Sequence, residues 1–152
     1  MLAATPPQLR LDGQLCFALY AASRATIKAY GPLLDEIGLT YPQYLTMLVL
    51  WERAELSVGE LGARLHLDSG TLTPLLKRLA ALQLVERRRD DADERRVIIS
   101  LTKRGRALRS PAECIPEAMF SQLGLTPKDA ALLLRQLTEL TARLADDDSD
   151  PV

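Results

Sequence analysis

The 152-residue sequence predicts a mainly α-helical fold with a small β-hairpin, and three observations lead there. Most of the chain repeats its apolar residues at spacings of three and four, the period of helices with one face in a core. Only "LVERR" and "RRVIISLT", either side of the acidic turn "RDDADE", depart from that period toward strand-like content. A basic block overlaps them: residues 77–109 hold eleven Lys/Arg against five Asp/Glu, and the rest of the chain holds eight against fifteen. Two short helices, a hairpin and a local positive surface make a winged helix-turn-helix, here with further helices on both sides.

Residues 13–37 read as one long helix, with Leu15, Leu19, Ala22, Ile27, Leu33 and Ile37 on its apolar positions and Gly38 as its stop. Pro32 lies inside that pattern and predicts a kink near Tyr30 and Gly31. A second helix opens at "TYP", where Pro42 suits the first turn; "QYLTMLVLWERAE" is apolar on more than one side and is therefore buried. Ser57 and Glu60 have capping-box spacing at the head of "SVGELGARLHL", which turns Leu61 and Leu65 to the core and ends on His66 as a C-terminal cap. Asp68 or Ser69 then caps "DSGTLTPLLKRLAALQLV". Leu72, Leu75, Leu76, Leu79 and Leu82 form its apolar stripe, and Ser, Thr, Lys and Arg its other face. After the hairpin, "LTKRGRALRSPAECIPEAMFSQLG" reads as helix broken by Pro111 and Pro116, and "TPKDAALLLRQLTELTARLA" as a last helix starting at Thr126–Pro127. The tail "DDDSDPV" reads as unstructured.

Composition narrows the function classes. An apolar fraction of 47% supports a sizeable core. The longest apolar runs, such as "LTMLVLW", fall far short of the roughly 18 residues that span a bilayer. The N-terminus lacks a basic segment followed by an apolar one, so no secretory signal is expected. Cys16 and Cys114, far apart in a chain without such a signal, suggest reduced thiols in the cytoplasm rather than a structural disulfide. His66 is the one histidine and no zinc-type spacing exists, so neither metal nor cofactor is expected.

In a winged helix-turn-helix the second helix enters the major groove and the hairpin reaches the neighbouring minor groove. Ser69, Thr71 and Thr73 place short hydroxyls at the start of that helix, where backbone N–H groups also favour phosphate. Lys77 and Arg78 follow, in reach of phosphate or guanine. Arg95 or Arg96, beside the hairpin turn, suits a narrow minor groove, with Asp93 as a hydrogen-bond partner that would aim Arg95.

The run "DSGTLTPLLKRLAALQLVERRRDDADERRVIISLTKRGRAL" resembles the DNA-binding core of the MarR family of dimeric winged-helix regulators. The resemblance lies in the recognition helix, the wing's Asp93 and Arg95, and Leu101, Thr102 and Gly105 after it. "LCFALYAASRA…Y…LTYPQYLTMLVLWE" resembles, more narrowly, the organic hydroperoxide resistance repressors of that family. Together these cover roughly residues 13–140. The resemblance implies one domain over residues 1–152, with 41–105 as the DNA-binding core and helices in 13–40 and 106–145 joining a homodimer. It implies a pseudo-palindromic operator on double-stranded DNA, released when a reactive cysteine is oxidised. The sensing thiol would be Cys16, with Tyr30 and Tyr41 hydrogen-bonded to it.

Spacing sets a condition on that site. Cys16 and Tyr30 would stand about 21 Å apart on one continuous helix, so they can meet only across two subunits with antiparallel first helices. Tyrosine hydroxyls donating to sulfur favour thiolate, and a pocket rimmed by Leu15, Phe17, Leu19 and Tyr20 suits an apolar peroxide. Two-cysteine members of the family carry a resolving thiol near "PEAMFSQLG", where this chain has Ser121. Its own Cys114 comes about two helical turns earlier, and is either a resolving thiol or a residue of packing or surface. Without a second thiol, oxidation would need a small external thiol. The expected function is thus a non-enzymatic, peroxide-sensing repressor. One rival is a regulator binding a small phenolic ligand in the dimer cleft with Cys16 structural. A thiol peroxidase is another, though it would give no reason for a basic recognition helix and wing.

Overall fold

The computed structural model describes residues 6–147. The chain divides into two compact units, Met1–Ile115 and Pro116–Val152. In the first, 3-10 turns at Pro7–Leu9 and Leu11–Gly13 lead into helix α1 (Leu15–Asp35). Pro32 lies within α1, which stays helical through it. The helix stops as its glycine requires: Gly38 takes φ 69°, and the amides of Gly38 and Leu39 return to the carbonyls of Asp35 and Leu34. Helix α2 (Tyr41–Glu52) opens with Pro42 in its first turn, and the Gln43 side chain accepts the Thr40 N–H at 2.9 Å. Tyr44, Met47, Val49 and Leu50 are all buried, as its many-sided apolar character predicts.

The recognition unit follows. Strand β1 (Glu55–Ser57) leads directly into α3 (Val58–Leu65), whose capping box is formed by Ser57 and Glu60. His66 closes α3 in the left-handed region, its N–H on the Gly62 carbonyl. Asp68 caps α4 (Ser69–Ala81) by accepting the Thr71 N–H at 2.8 Å. Leu72, Leu75, Leu76 and Leu79 are buried as the stripe requires, but Leu82 is 37% exposed because α4 ends before it. Strands β2 (Val85–Arg89) and β3 (Val97–Leu101) pair antiparallel, with Val85 opposite Leu101 and Arg89 opposite Val97. The sheet has three strands in the order β1-β3-β2. A two-stranded hairpin was the expectation; β1 joins it through pairing of Leu56 with Ile99.

Short helices α5 (Lys103–Ala107) and α6 (Arg109–Ala112) complete the first unit. The helix breaks expected at Pro111 and Pro116 fall instead at Leu108 and at Glu113–Cys114. The prolines sit in the first turns of the helices that follow, where no N–H is needed. The core of this unit is Leu34, Tyr44, Met47, Leu50, Leu61, Leu72, Leu76, Leu79 and Ile99, all nearly or wholly buried. Each such side chain contributes about 1.5–3 kcal/mol by leaving water.

Helix α7 (Ile115–Leu123) begins at the boundary of the second unit, which otherwise consists of α8 (Pro127–Asp147). Thr126 caps α8 by accepting the Asp129 N–H, and its own hydroxyl donates to the Asp129 carboxylate at 2.7 Å. Ala130, Leu133, Leu137, Leu140 and Leu144 recur at alternating spacings of three and four along α8. Most of the expected unstructured tail, from residue 148 on, lies outside the described residues.

Candidate nucleic-acid interface and thiol site

The start of α4 presents Ser69 and Thr71 exposed and Thr73 half-buried, with Lys77 and Arg78 exposed further along the helix. Thr71 spends its hydroxyl on Asp68, donating at 3.0 Å, which makes it part of the cap. The two hydrogen bonds from Thr71 hold the Asp68 carboxyl below its usual range. Beside α4, a cleft of about 350 Å³ is lined by Ser57, Gly59, Thr73, Arg87, Arg95 and Arg96, among others. Three arginines, Thr73 of α4 and the start of α3 therefore share one concave surface, which is chemistry for a sugar–phosphate backbone.

The wing arginines differ in their ties. Arg96 lies 3.6 Å from Glu60 and 3.8 Å from Asp90, bracing the wing against α3. Glu60 is held below the usual carboxylate range first by the Ser57 hydroxyl and N–H, then by Arg96 and Arg53. Arg95 makes no ion pair among the described residues. Asp93 does not aim its guanidinium as expected: the Asp93 carboxylate accepts the Arg95 backbone N–H at 3.0 Å, shaping the turn instead. The turn closes with the Asp90 N–H on the Arg96 carbonyl at 2.9 Å. Arg87 was missed by sequence reasoning. Strand alternation carries the signal, since Arg88 faces Glu55 at 3.1 Å and its neighbour Arg87 must point the other way.

The thiol residues are less gathered. Cys16 is exposed on the first turn of α1, and Leu15, Phe17 and Tyr20 around it are 71%, 41% and 56% exposed. Leu19 is half-buried. Among the described residues no hydrogen bond joins Cys16 to a tyrosine. Tyr30 and Tyr41 do meet each other, with ring centroids 4.8 Å apart. Burial raises the pKa of both phenols, and the neighbouring Tyr41 charge adds to the effect at Tyr30. The cluster extends beyond the expected pair: Tyr44 lies 5.9 Å from Tyr30, and Trp51 6.4 Å from Tyr44. Cys114 is exposed in the turn between α6 and α7, its thiol 3.5 Å from the Pro111 carbonyl. The pKa of Tyr44 is raised first by burial and then by the nearness of Tyr30, Tyr41 and Cys114.

Residues 28–110, which span the recognition unit just described, match the family model of the SarA/Rot transcriptional regulators. The chain belongs to the SarA/Rot/MarR-type winged-helix regulators. It is 50% identical over 129 residues to the organic hydroperoxide resistance transcriptional regulator of Bacillus subtilis, covering 85% of each chain. It is 52% identical over 134 residues to the transcriptional regulator TtmR of Methylorubrum extorquens, covering 88% of this chain and 69% of that one. Reduced AbfR bound to DNA aligns with a TM-score of 0.75 at 36% identity, over 92% of this chain and 99% of AbfR. AbfR comes from Staphylococcus epidermidis, and it is also solved overoxidised on DNA and in a disulfide form. Members of this family are DNA-binding transcriptional regulators, not enzymes, and this winged-helix chain is one of them. Among the described residues no helix is long and apolar enough to cross a membrane.

Proposed function

We propose that the protein is a homodimeric repressor that senses organic hydroperoxides through Cys16 and then releases a pseudo-palindromic operator. The observation that carries this reading is the division of labour along α1. An exposed thiol occupies its first turn, and about 21 Å further on stands a tyrosine whose ring meets that of Tyr41, both half-buried and both carrying a phenol O–H. A protonated phenol is a donor, and donors to sulfur favour the thiolate. Two antiparallel copies of α1 would bring the thiol of one protomer to the tyrosines of the other. The similarity to a regulator named for organic hydroperoxide resistance, and to AbfR solved in reduced, overoxidised and disulfide forms, supports the same reading.

The chemistry balances without a cofactor. The Cys16 thiolate attacks the peroxide O–O bond, forming S–O and expelling an alkoxide that takes a proton to leave as alcohol. Sulfur is oxidised by two electrons and the peroxide is reduced by two. Leu15, Phe17, Leu19 and Tyr20 would receive the alkyl group. The sulfenic acid then condenses with a thiol, losing water; Cys114 or a small cytoplasmic thiol would supply it. On the DNA side, Ser69, Thr71, Thr73, Lys77 and Arg78 face the major groove, and Arg95 enters the minor groove. Arg96, braced by two carboxylates, holds the wing, and Asp93 shapes its turn.

A gel shift with reduced protein, repeated after an alkyl hydroperoxide, tests this. Wild-type protein loses operator under peroxide and Cys16→Ser keeps it; a serine variant that still lets go sinks the sensor reading. Non-reducing mass spectrometry then distinguishes sulfenic acid, mixed disulfide and a Cys16–Cys114 bond. One observation favours a second reading: a cleft of about 520 Å³ along α1 is lined by Arg24, Ala25, Ile27 and Lys28. Its two cations suit an acidic phenolic ligand, which would release operator without peroxide and leave Cys16 unmodified.

A further inference from the structure

We propose that Trp51 is a positioning residue that ties the tyrosine pair to the root of the wing, through its N–H on the Gly105 carbonyl. The proposal builds on the reading of Tyr30 and Tyr41 as partners of the sensing thiol. Four rings are linked in succession, Tyr41 at the start of α2, Tyr30 on α1, then Tyr44 and Trp51 on α2, with successive centroids 4.8, 5.9 and 6.4 Å apart. Tyr44 is 2% exposed, so the ring that joins Tyr30 to Trp51 is packed and cannot absorb a shift by moving into solvent. At the far end, the Trp51 indole N–H donates to the Gly105 carbonyl at 2.9 Å.

Gly105 is a junction. Helix α5 is so short that this carbonyl is among the last ones with no donor in its own helix, and Trp51 supplies the donor. The Gly105 N–H is held by the Thr102 hydroxyl at 2.9 Å, and that hydroxyl donates to the Gln83 carbonyl at 2.7 Å. The Thr102 N–H donates to the Leu84 carbonyl at 3.1 Å. A Cβ at Gly105 would collide with that same Leu84 carbonyl, so the two backbones are in direct contact. Gln83, at φ 59°, and Leu84 form the turn in which α4 ends and β2 begins. A displacement of Trp51 along its hydrogen bond therefore moves the exit of the recognition helix and the entry of the wing together. Packing alone would ask of Trp51 only its ring; the N–H is what engages the junction.

Trp51 is the protein's one tryptophan, so its emission reports the junction directly. In the full-length wild-type protein, an alkyl hydroperoxide is expected to shift Trp51 emission, and Cys16→Ser is expected to abolish the shift. Oxidised Cys16 by mass spectrometry with unchanged emission overturns the proposal. A second arm needs no oxidation: a double-mutant cycle of Tyr30→Leu and Trp51→Phe on reduced operator affinity, with thermal melts as folding control. The Phe variant keeps an aromatic ring and removes the donor together with part of the indole, so the thermal melts report the packing cost separately. The double variant is expected to depart from the product of the single effects by about threefold or more, as coupled sites do. Independent effects overturn the proposal even where peroxide sensing holds. If Cys16 proves inert to peroxide, the sensor reading fails, and the cycle alone decides the role of Trp51.

Discussion

Arg95 and Arg96 are neighbours with different work. Arg96 has two carboxylates within 4 Å, whereas Arg95 has no ion-pair partner among the described residues and lines the cleft beside α4. Arg95→Ala is expected to weaken operator binding by about 1–3 kcal/mol if its guanidinium reads base edges in the minor groove, and to lower the salt slope by about one if it neutralises a phosphate. Titrations at several salt concentrations measure both, and unchanged affinity and slope remove Arg95 from the interface. The sequence placed both arginines beside the turn, and Thr73 on the reading helix, because those positions follow from turn chemistry and helix period. It could not separate their roles. Beyond Asp90 in its own wing, what binds Arg96 is Glu60, distant along the chain, and only the folded approach of α3 to the wing creates that pairing. Asp93 misled for the opposite reason: a carboxylate two residues before an amide finds its backbone first.

Among elements, the helices with caps were legible and the short pieces were not. Asp68, Ser57 and Gly38 announce α4, α3 and the stop of α1 through local bonds that need no tertiary partner. Strand β1 has three residues, too few for a period, and exists because β3 offers it an edge. The α5–α6–α7 breaks were misplaced because a proline reads as a boundary whether it ends one helix or starts the next. Two predictions belong here. Gly105→Ala should cost about 1–3 kcal/mol or more in urea unfolding, since its Cβ meets backbone rather than a mobile side chain. The Glu60 carboxyl is lowered in the fold, so its contribution is present above the ordinary carboxylate range and is lost as pH falls through the lowered folded value. Unfolding midpoints followed into acid should thus fall less steeply for Glu60→Gln than for wild type; parallel curves would refute the cap's share.

For the whole molecule, exposed apolar residues give the proposed homodimer a testable seam. Leu9, Leu11, Leu15, Phe17, Tyr20 and Ile27 are exposed in the first unit, and Leu133, Leu137 and Leu144 along α8 in the second. The alternating three-and-four spacing on α8 is that of a helix seam seeking another helix. Leu137→Glu with Leu144→Glu is expected to lower the mass seen by light scattering from dimer toward monomer and to cost operator affinity. A variant that stays dimeric assigns the seam elsewhere. The acidic turn of the wing, Asp90, Asp91, Asp93 and Glu94, has a consequence at this scale too. In the proposed complex these negative tips would raise the energy of shallow encounters with phosphates, and Arg95 in a narrow groove would have to outweigh them. A regulator that binds as proposed would dwell briefly on the vast excess of random DNA and longer on its few correct sites.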